Sequence, residues 1–243
     1  MYNLKTENWN EEFAEGKVIL VDKPLRWTSF DVVKKIRGLT RISKVGHAGT
    51  LDPLATGLLI VCTGKFTKKI NEFMAAEKEY TGSFTLGATT PTYDLESEPV
   101  FQSSLENITD EMIHGATQKF LGEIMQVPPI FSAIKKEGTA AYVLARRGQE
   151  VKMEPRPITI KEFEITSIDL PKVEFRVVCT TGTYIRSLAF DFGNELGCGA
   201  HLSSLIRTRI GTFKLDSTMS LDDFIHKINS IKPVVSPTKN PLD

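Results

Sequence analysis

The sequence predicts an α+β protein, a mixed domain organised around one large sheet. Short apolar runs at residues 16–22 and 58–62 have the length of buried strands. Residues 80–86 place Tyr, Gly, Phe and Leu at every second position, as in a strand with one face in the core. Segments with helical spacing lie between these strands, and such interleaving is typical of the α+β class.

The first predicted helix follows the first strand. Thr28 and Asp31 have the spacing of a capping box, with Asp in place of the usual Glu. The helix should cover residues 29–37, and the glycine that comes next should end it. Residues 44–57 then carry too many turn-forming residues for a regular element, whereas residues 65–75 again have helical spacing.

The rest of the chain continues the alternation of helices and strands. The further predicted elements are helices 107–121 and 140–147, strands 158–170 and 173–180, helix 183–196, strands 202–210 and 212–215, and helix 221–228. The last stretch, residues 230–243, contains three prolines and little periodicity, as expected of a linker or a frayed end.

The composition is that of an ordinary folded protein. Of the 243 residues, 41% are hydrophobic and 25% are charged, which suits one large domain, or one with a small appendage. No run approaches the roughly 18 to 20 apolar residues of a membrane span, and the acidic, polar N-terminus is unlike a signal peptide. We therefore expect a cytoplasmic protein with no membrane partner.

The cysteines give no sign of a metal site. Cys62, Cys179 and Cys198 are an odd number at wide spacings, without a CxxC pair or a nearby histidine pattern. Such an arrangement cannot supply a typical zinc tetrahedron and predicts reduced, buried thiols.

Charge is distributed unevenly, although the formal net charge is zero. A zero sum argues weakly against a nucleic-acid partner, because phosphate binding requires a positive face. However, residues 32–51 contain no acid, and acids gather at residues 7–15 and 94–111. The basic residues in and after the acid-free stretch are Lys34, Lys35, Arg37, Arg41, Lys44, Lys65, Lys68 and Lys69. They form either a solvated helix face or a phosphate-binding surface.

The turn-rich stretch 44–57 is the most informative part of the chain. It holds three glycines, a proline and a single carboxylate, Asp52, among small or apolar residues. This composition describes a loop packed tightly against another part of the protein. By spacing alone, Asp52 is better explained as an Asx-turn or N-cap residue than as a catalytic group.

A series of ordered motifs changes that balance. The run GHAGTLDPLATGLL at residues 46–59 resembles, nearly residue for residue, the catalytic motif of the TruB family of pseudouridine synthases. Further motifs of that family occur along the chain in the order typical of the family. They are VDKPLRWTSFDVV at 21–33, KEY at 78–80, VPPIFSAIK at 127–135, AYVLARRG at 141–148, GTYIRSLA at 182–189 and GCGAHLSSLIRTRIG at 197–211. The resemblance covers residues 16–215.

The resemblance implies a fold and a reaction. The fold is the pseudouridine synthase fold, a large, mostly antiparallel mixed sheet flanked by helices with a central active-site cleft. The reaction is the isomerisation of uridine 55 in the T loop of tRNA to pseudouridine, which uses no metal or organic cofactor. The implied partner is the T stem-loop of tRNA, and we expect a monomer.

Three residues are implied to be catalytic. Asp52 becomes the nucleophile, because a carboxylate can attack either C1′ of the sugar or C6 of the uracil while the base rotates. The sequence does not choose between these two routes. Arg186 is implied to pair with Asp52 and to hold it ionised. Tyr80 is implied to stack on the uracil and is the candidate base for the C5 proton.

Six further residues are implied to bind or support the substrate. His47 matches a histidine that packs into the RNA loop from which the target base is flipped, so we assign it to binding and not to proton transfer. Tyr184 and Leu205 match residues that line the pocket. Lys23 matches the opening motif, where the role is support of the active-site loop. Gly49 and Thr50, which lie on the catalytic motif as His47 does, complete the substrate-binding residues.

Two positions depart from the family pattern. Asp94 matches an acidic position, but the surrounding TTPTYDLES differs from the expected sequence, so the resemblance assigns it no role. Typical members continue into a small RNA-binding domain of the PUA type, and the residues after Leu215 are too few for a full one. We therefore expect a catalytic domain over residues 1–229 and a proline-rich tail over residues 230–243.

Two other classes of function remain open. A non-catalytic RNA-binding module on the same fold would have no use for a buried pair formed by Asp52 and Arg186. A nucleoside hydrolase using one aspartate would have a small-molecule pocket without a basic surface beside it, which residues 34–44 provide here. Loss of RNA affinity on neutralising those lysines would separate a hydrolase from an RNA-acting protein.

Overall fold

The computed structural model describes residues 9–136 and 138–231. Its helices are α1 (Trp9–Glu15), α2 (Ser29–Thr40), α3 (Ile70–Ala75), α4 (Asp110–Thr117), α5 (Ala141–Arg146), α6 (Ile185–Glu195) and α7 (Leu221–Ile231). Its strands are β1 (Val18–Lys23), β2 (Val45–His47), β3 (Ala55–Thr63), β4 (Lys78–Leu86), β5 (Ala88–Thr89), β6 (Phe101–Gln102), β7 (Gly122–Gln126), β8 (Lys135–Lys136), β9 (Thr139–Ala140), β10 (Arg156–Asp169), β11 (Lys172–Cys179), β12 (Ala200–Ile210), β13 (Phe213–Lys214) and β14 (Met219–Ser220).

Ten of the described strands form one mixed sheet. Its order is β14-β1-β3-β12-β4-β11-β10-β7, with β2 paired to β3 and β13 paired to β12. Two pairs, β1 with β14 and β3 with β12, are parallel, and the other pairs are antiparallel. The predicted α+β fold with a large, mostly antiparallel mixed sheet and flanking helices is confirmed.

The two halves of the sheet have separate hydrophobic cores. Helices α4 and α6 pack on the half that contains β4, β11 and β10, where Phe84 stacks on Phe175 at a centroid distance of 4.2 Å and Phe192 packs beside them. Each such ring contributes roughly 1.5–3 kcal/mol by leaving water. The sheet is therefore anchored firmly to α6, the helix that carries Arg186.

Strand β3 is buried on both faces. Leu59 and Val61 point toward α2 and α7, while Leu58 and Ile60 point toward the segment of α3. A strand covered on both sides needs apolar residues at consecutive positions, which explains the uninterrupted run of hydrophobic residues in the sequence.

Helix α2 begins as predicted and ends later. The capping box is confirmed, because the Thr28 hydroxyl accepts from the Asp31 amide and the Asp31 carboxylate accepts from the Thr28 amide, both at 3.0 Å. The predicted end at Gly38 is wrong, since the helix continues to Thr40 and is closed by Arg41 at φ 57°. A glycine inside a helix costs only about 1 kcal/mol, and packing of the following turn outweighs it.

The turn-rich stretch is less irregular than predicted. Strand β2 lies inside residues 44–57 and pairs with β3, and β3 itself begins at Ala55. Residues 48–54 form the remaining irregular part, here called the Asp52 loop. Because both of its ends join strands of the sheet, the loop is fixed at the centre of the fold.

Three further predictions concern the cysteines, membrane-spanning segments and the C-terminal stretch. The three cysteines are free thiols and are buried, as predicted. No described helix is long and apolar enough to cross a membrane. Helix α7 includes Ser230 and Ile231, the first two residues of the predicted proline-rich tail, and residues 232–243 lie outside the described residues.

Candidate active site

Asp52 and Arg186 meet between the Asp52 loop and the first turn of α6. Nε of Arg186 lies 2.9 Å from Oδ2 of Asp52, and Nη2 donates to Oδ1 at 3.3 Å. The Arg186 side chain is 5% exposed, whereas the Asp52 side chain is 37% exposed. The guanidinium therefore orients the carboxylate from the buried side and leaves it open toward solvent.

Arg186 has three further polar partners. Nη2 donates to the carbonyl of Phe131 at 2.9 Å and Nη1 to the carbonyl of Thr92 at 3.3 Å. Oδ2 of Asp94 lies 3.6 Å from Nε, and its side chain is 5% exposed. The guanidinium is thus shared between two carboxylates, of which only that of Asp52 is accessible.

A tight turn presents Asp94 to the guanidinium. Tyr93 has a positive φ of 63°, and its ring stacks on Phe190 of α6 at a centroid distance of 4.2 Å. The Thr90 hydroxyl donates to the carbonyl of Asp94 at 2.7 Å. The resemblance assigned Asp94 no role, because the sequence around it departs from the family pattern at Tyr93. The structure shows that Tyr93 stacks on Phe190, a residue far away in the sequence.

Lys23 lies beneath the Asp52 loop. Its ammonium donates to the carbonyls of Pro24 at 2.9 Å, Trp27 at 2.5 Å and Pro53 at 3.5 Å, and the residue is fully buried. Burial lowers the pKa of Lys23 to about 8. These carbonyl partners tie the turn after β1 to the Asp52 loop, so Lys23 supports the loop.

Ser29 and Arg207 hold the same loop at other points. The Ser29 hydroxyl accepts from the amide of Leu51 at 2.9 Å and donates to its carbonyl at 3.3 Å. Arg207 donates to the carbonyls of Gly49 at 3.1 Å and Thr50 at 3.5 Å. Ser29 and Arg207 were not predicted, although each belongs to one of the family motifs.

Tyr80 and Leu205 lie on the two strands next to the loop. Tyr80 on β4 is 9% exposed and is paired across the sheet with Arg207 of β12. Burial raises the pKa of Tyr80, so its phenol is protonated at neutral pH. Leu205 on β12 lies opposite Ala55, at the end of the Asp52 loop.

Tyr184 directly precedes α6 and is fixed through its backbone. Its amide donates to Oε1 of Gln126 at 2.8 Å, and Nε2 of Gln126 donates to its carbonyl at 3.1 Å. Burial raises the pKa of the Tyr184 phenol. Gln126, at the end of β7, therefore fixes the entrance to the helix that carries Arg186.

His47 lies on β2, opposite Val61, and is half-buried. Burial lowers the pKa of His47, and the nearby charge of Arg207 lowers it further. The imidazole is therefore neutral at pH 7.

A cavity of about 260 Å³ opens in front of Asp52. Its lining includes Asp94, Leu205 and, on the outer side, Leu25 and Arg26. A larger cavity of about 520 Å³ lies beyond Arg26 on the surface of α2, and its one carboxylate, Asp31, is occupied by the helix cap. We place the chemistry in the smaller cavity, because it holds the accessible carboxylate.

Comparisons with known proteins identify the family of this chain. Residues 37–185 match the family model described as TruB family pseudouridylate synthase (N terminal domain), and residues 186–242 match that described as tRNA pseudouridylate synthase B C-terminal domain. The tRNA pseudouridine synthase B of Flavobacterium johnsoniae is 54% identical over 221 residues, covering 88% of this chain and 96% of that protein. The tRNA pseudouridine synthase B of Phocaeicola vulgatus is 51% identical, covering 87% and 93%.

Among solved structures, a chain from the crystal structure of a Cbf5-Nop10-Gar1 complex superposes with a TM-score of 0.70. It is 32% identical, and the match covers 89% of this chain and 56% of that one. The sequence matches span most of the chain and contain the Asp52 loop, the Tyr80 strand and the start of α6. This chain therefore belongs to the TruB family of pseudouridine synthases.

Proposed function

We propose that this chain is a tRNA pseudouridine synthase that isomerises uridine 55 in the T loop of tRNA to pseudouridine. The observation that carries this proposal is the contact of Arg186 with both carboxylate oxygens of Asp52, a residue that lines an open cavity, in a chain of the TruB family. A buried guanidinium beside an accessible carboxylate suits a nucleophile that must remain ionised and oriented.

The reaction is an exchange of one bond for another. The bond between C1′ and N1 breaks, the uracil rotates, and a bond between C1′ and C5 forms while C5 loses a proton and N1 gains one. Asp52 holds one of the two fragments covalently, through C1′ or through C6. Because the overall change is an isomerisation, no redox or group-transfer partner is required.

Tyr80 contributes an aromatic face beside the nucleophile. Because its phenol is protonated in the resting site, we assign Tyr80 first to stacking on the flipped uracil. It can accept the C5 proton only after giving up its own. Leu205 and Tyr184 supply apolar and aromatic surface around the same base.

The RNA strand is expected to cross the rim of the cavity at Arg26. This residue is exposed and lines both the Asp52 cavity and the outer cavity, which also contains Lys34 and Lys35 of α2. A row of exposed cations next to a nucleotide pocket is suited to phosphates that flank the flipped nucleotide. His47 would pack into the loop that the nucleotide leaves, which makes the T stem-loop the natural substrate.

The same proposal covers the organisation of the chain. We assign the catalytic unit to residues 1–229 and the tail to residues 230–243. A single copy supplies Asp52, Arg186 and Tyr80, so the enzyme should act as a monomer, and its substrate places it in the cytoplasm.

Tritium release from a tRNA transcript tritiated at C5 of uridine tests this function. The native chain should release tritium, and the Asp52→Asn variant should bind the transcript without releasing any. A transcript with cytidine in place of uridine 55 is the matched RNA control and should give no release above background. RNA binding by both proteins without release by either would contradict the enzymatic proposal and favour an RNA-binding module.

A further inference from the structure

Arg207 is a buried arginine that joins two parts of the site. We propose that Arg207 is a positioning residue, which fixes the Asp52 loop and the Tyr80 ring relative to one another. This inference rests on the proposed function, because its meaning depends on the reaction of Asp52.

The strand register places Arg207 between the two groups. On one side it is paired with Gly57 of β3, three residues after the end of the Asp52 loop, and on the other with Tyr80 of β4. Its side chain is 1% exposed. Nε donates to the carbonyl of Leu58 at 2.8 Å, and the two Nη atoms reach the carbonyls of Gly49 and Thr50.

One glycine of the catalytic motif, Gly57, makes this approach possible. Gly57 has φ +100°, and a Cβ there would lie 2.4 Å from the carbonyl oxygen of Arg207. Gly49 has φ +92°, and a Cβ there would lie 3.5 Å from Nη1 of Arg207. The glycine at position 57 is therefore required by the backbone of the arginine strand.

Consecutive residues of the loop are each held from outside. Arg207 binds the carbonyls at positions 49 and 50, Ser29 binds Leu51, Arg186 binds the carboxylate at 52, and Lys23 binds the carbonyl at 53. Arg207 is the member of this group that lies on the strand next to Tyr80. It is therefore the group through which the positions of nucleophile and aromatic ring are coupled.

The charge of Arg207 is buried at a cost. Within residues 9–136 and 138–231, no ion pair joins it to a carboxylate, and its side chain donates to the backbone carbonyls of Gly49, Thr50 and Leu58. A buried cation without a counter-charge is expensive, so an apolar side chain would serve a purely structural core better. Its positive charge also opposes the effect of burial on the Tyr80 phenol, because it favours the phenolate.

Arg209 provides a matched control on the same strand. A register shift between Arg207 and Arg209 turns the second arginine to the other face, where it is 22% exposed and pairs with Glu77 at 2.7 Å. Replacing Arg207 or Arg209 by the same residue therefore removes an arginine side chain inside the site in one variant and outside it in the other.

The test compares Arg207→Gln, Arg207→Lys and Arg209→Gln. Single-turnover tritium release and the Kd for the T stem-loop would be measured for each. We expect Arg207→Gln to slow release by about 10²-fold while the Kd changes by less than about threefold, because a small displacement of the nucleophile affects the reacting geometry most. Arg207→Lys should recover part of the rate, and Arg209→Gln should match the native chain.

A second measurement does not require activity. With 3-fluorotyrosine incorporated, the ¹⁹F resonance of Tyr80, assigned with Tyr80→Phe, should move in Arg207→Gln and stay in place in Arg209→Gln. An unchanged Tyr80 resonance, or release by folded Arg207→Gln within about threefold of native, would overturn the proposal. If Arg207→Gln does not fold, a native rate in Arg207→Lys overturns it instead. Absence of release by the native chain would contradict the proposed function and leave the resonance measurement valid.

Discussion

Arg186 contacts both carboxylate oxygens of Asp52, at 2.9 and 3.3 Å, from a position that solvent hardly reaches. The pair is asymmetric, because the arginine is buried and further held by carbonyls while the aspartate faces the cavity. The hydrogen bond from Nη2 to Oδ1, together with the close approach of Nε to Oδ2, fixes the direction in which the carboxylate points. The geometry of the arginine fork, and not its charge alone, should therefore control the rate.

The first prediction concerns that fork. Arg186→Lys keeps the positive charge but removes one of the two parallel contacts with Asp52. We expect release from the tritiated transcript to fall by about 10²-fold or more, with little change in RNA affinity. Arg176→Lys is the control, since Arg176 also bridges two carboxylates, Glu79 and Glu162, outside the cavity. Equal losses in the two variants would contradict the prediction.

The second prediction follows from the buried ammonium of Lys23. Its pKa is about 8 in the folded protein against 10.5 for an ordinary lysine, so the folded state releases this proton first as the pH rises. The unfolded chain then binds more protons, and this group should raise the free energy of unfolding by about 1 kcal/mol between pH 7.5 and pH 9, out of roughly 3 kcal/mol in all at higher pH. Urea denaturation at pH 7.5 and pH 9 measures the change.

Two other kinds of group act in this range and set the controls. Lys78 also has a pKa of about 8 and should contribute with the same sign. The thiols of Cys62 and Cys179, whose pKa values burial raises to about 11, oppose the rise above pH 9. Lys23→Met should reduce the pH dependence of the free energy of unfolding and also slow catalysis. Lys78→Met should reduce the pH dependence of the free energy of unfolding in the same way. An unaltered pH dependence in Lys23→Met would contradict the assignment.

The third prediction contrasts two glycines. Gly57→Ala places a Cβ 2.4 Å from a backbone oxygen at φ +100°, and we expect it to lower the free energy of unfolding by about 3 kcal/mol or more. Gly38→Ala, at an exposed position inside α2 with no atom within 4 Å, should raise it by about 0.5–1 kcal/mol. Urea midpoints at pH 7 test both, and a destabilised Gly38→Ala would contradict the helix assignment.

Local patterns predicted much of this fold for physical reasons. The capping box at Thr28 works within four residues, and the run of apolar residues in β3 records burial on both faces directly. Gly38 misled the prediction, because local propensity favoured an end that the packing of the next turn overrides. The sheet order could not be predicted from such patterns, because it depends on pairings between distant segments.

The site shows the same division. Asp52, Arg186 and Tyr80 could be named because each lies in a motif that resembles a known family. The support of the loop could not, since β12 carries Arg207 and Arg209 two positions apart, which in a regular strand would face the same side. The register shift between them separates one buried arginine from one half-buried one, and the sequence shows no mark of this shift.

The fourth prediction concerns Asp191 on α6. Burial raises its pKa to about 6, so the folded state favours the neutral carboxyl. This contribution to stability is complete below the unfolded pKa of 3.8 and is lost as the pH rises through 6, after which a charge remains in a half-buried position. Asp191→Asn keeps the shape and removes the charge, and should raise the free energy of unfolding at pH 8 by roughly 1–3 kcal/mol.

At pH 3 the same Asp191→Asn substitution should change stability little, because the carboxyl is then mostly neutral in both the folded and the unfolded chain. Urea denaturation at the two pH values gives the comparison, and Asp169→Asn, at the exposed end of β10, controls for loss of net charge. The sign of the effect distinguishes two roles for Asp191. Stabilisation at pH 8 alone means that its charge is an uncompensated cost of folding, whereas destabilisation at both pH values would mean that the carboxylate makes a favourable contact, which would contradict the prediction.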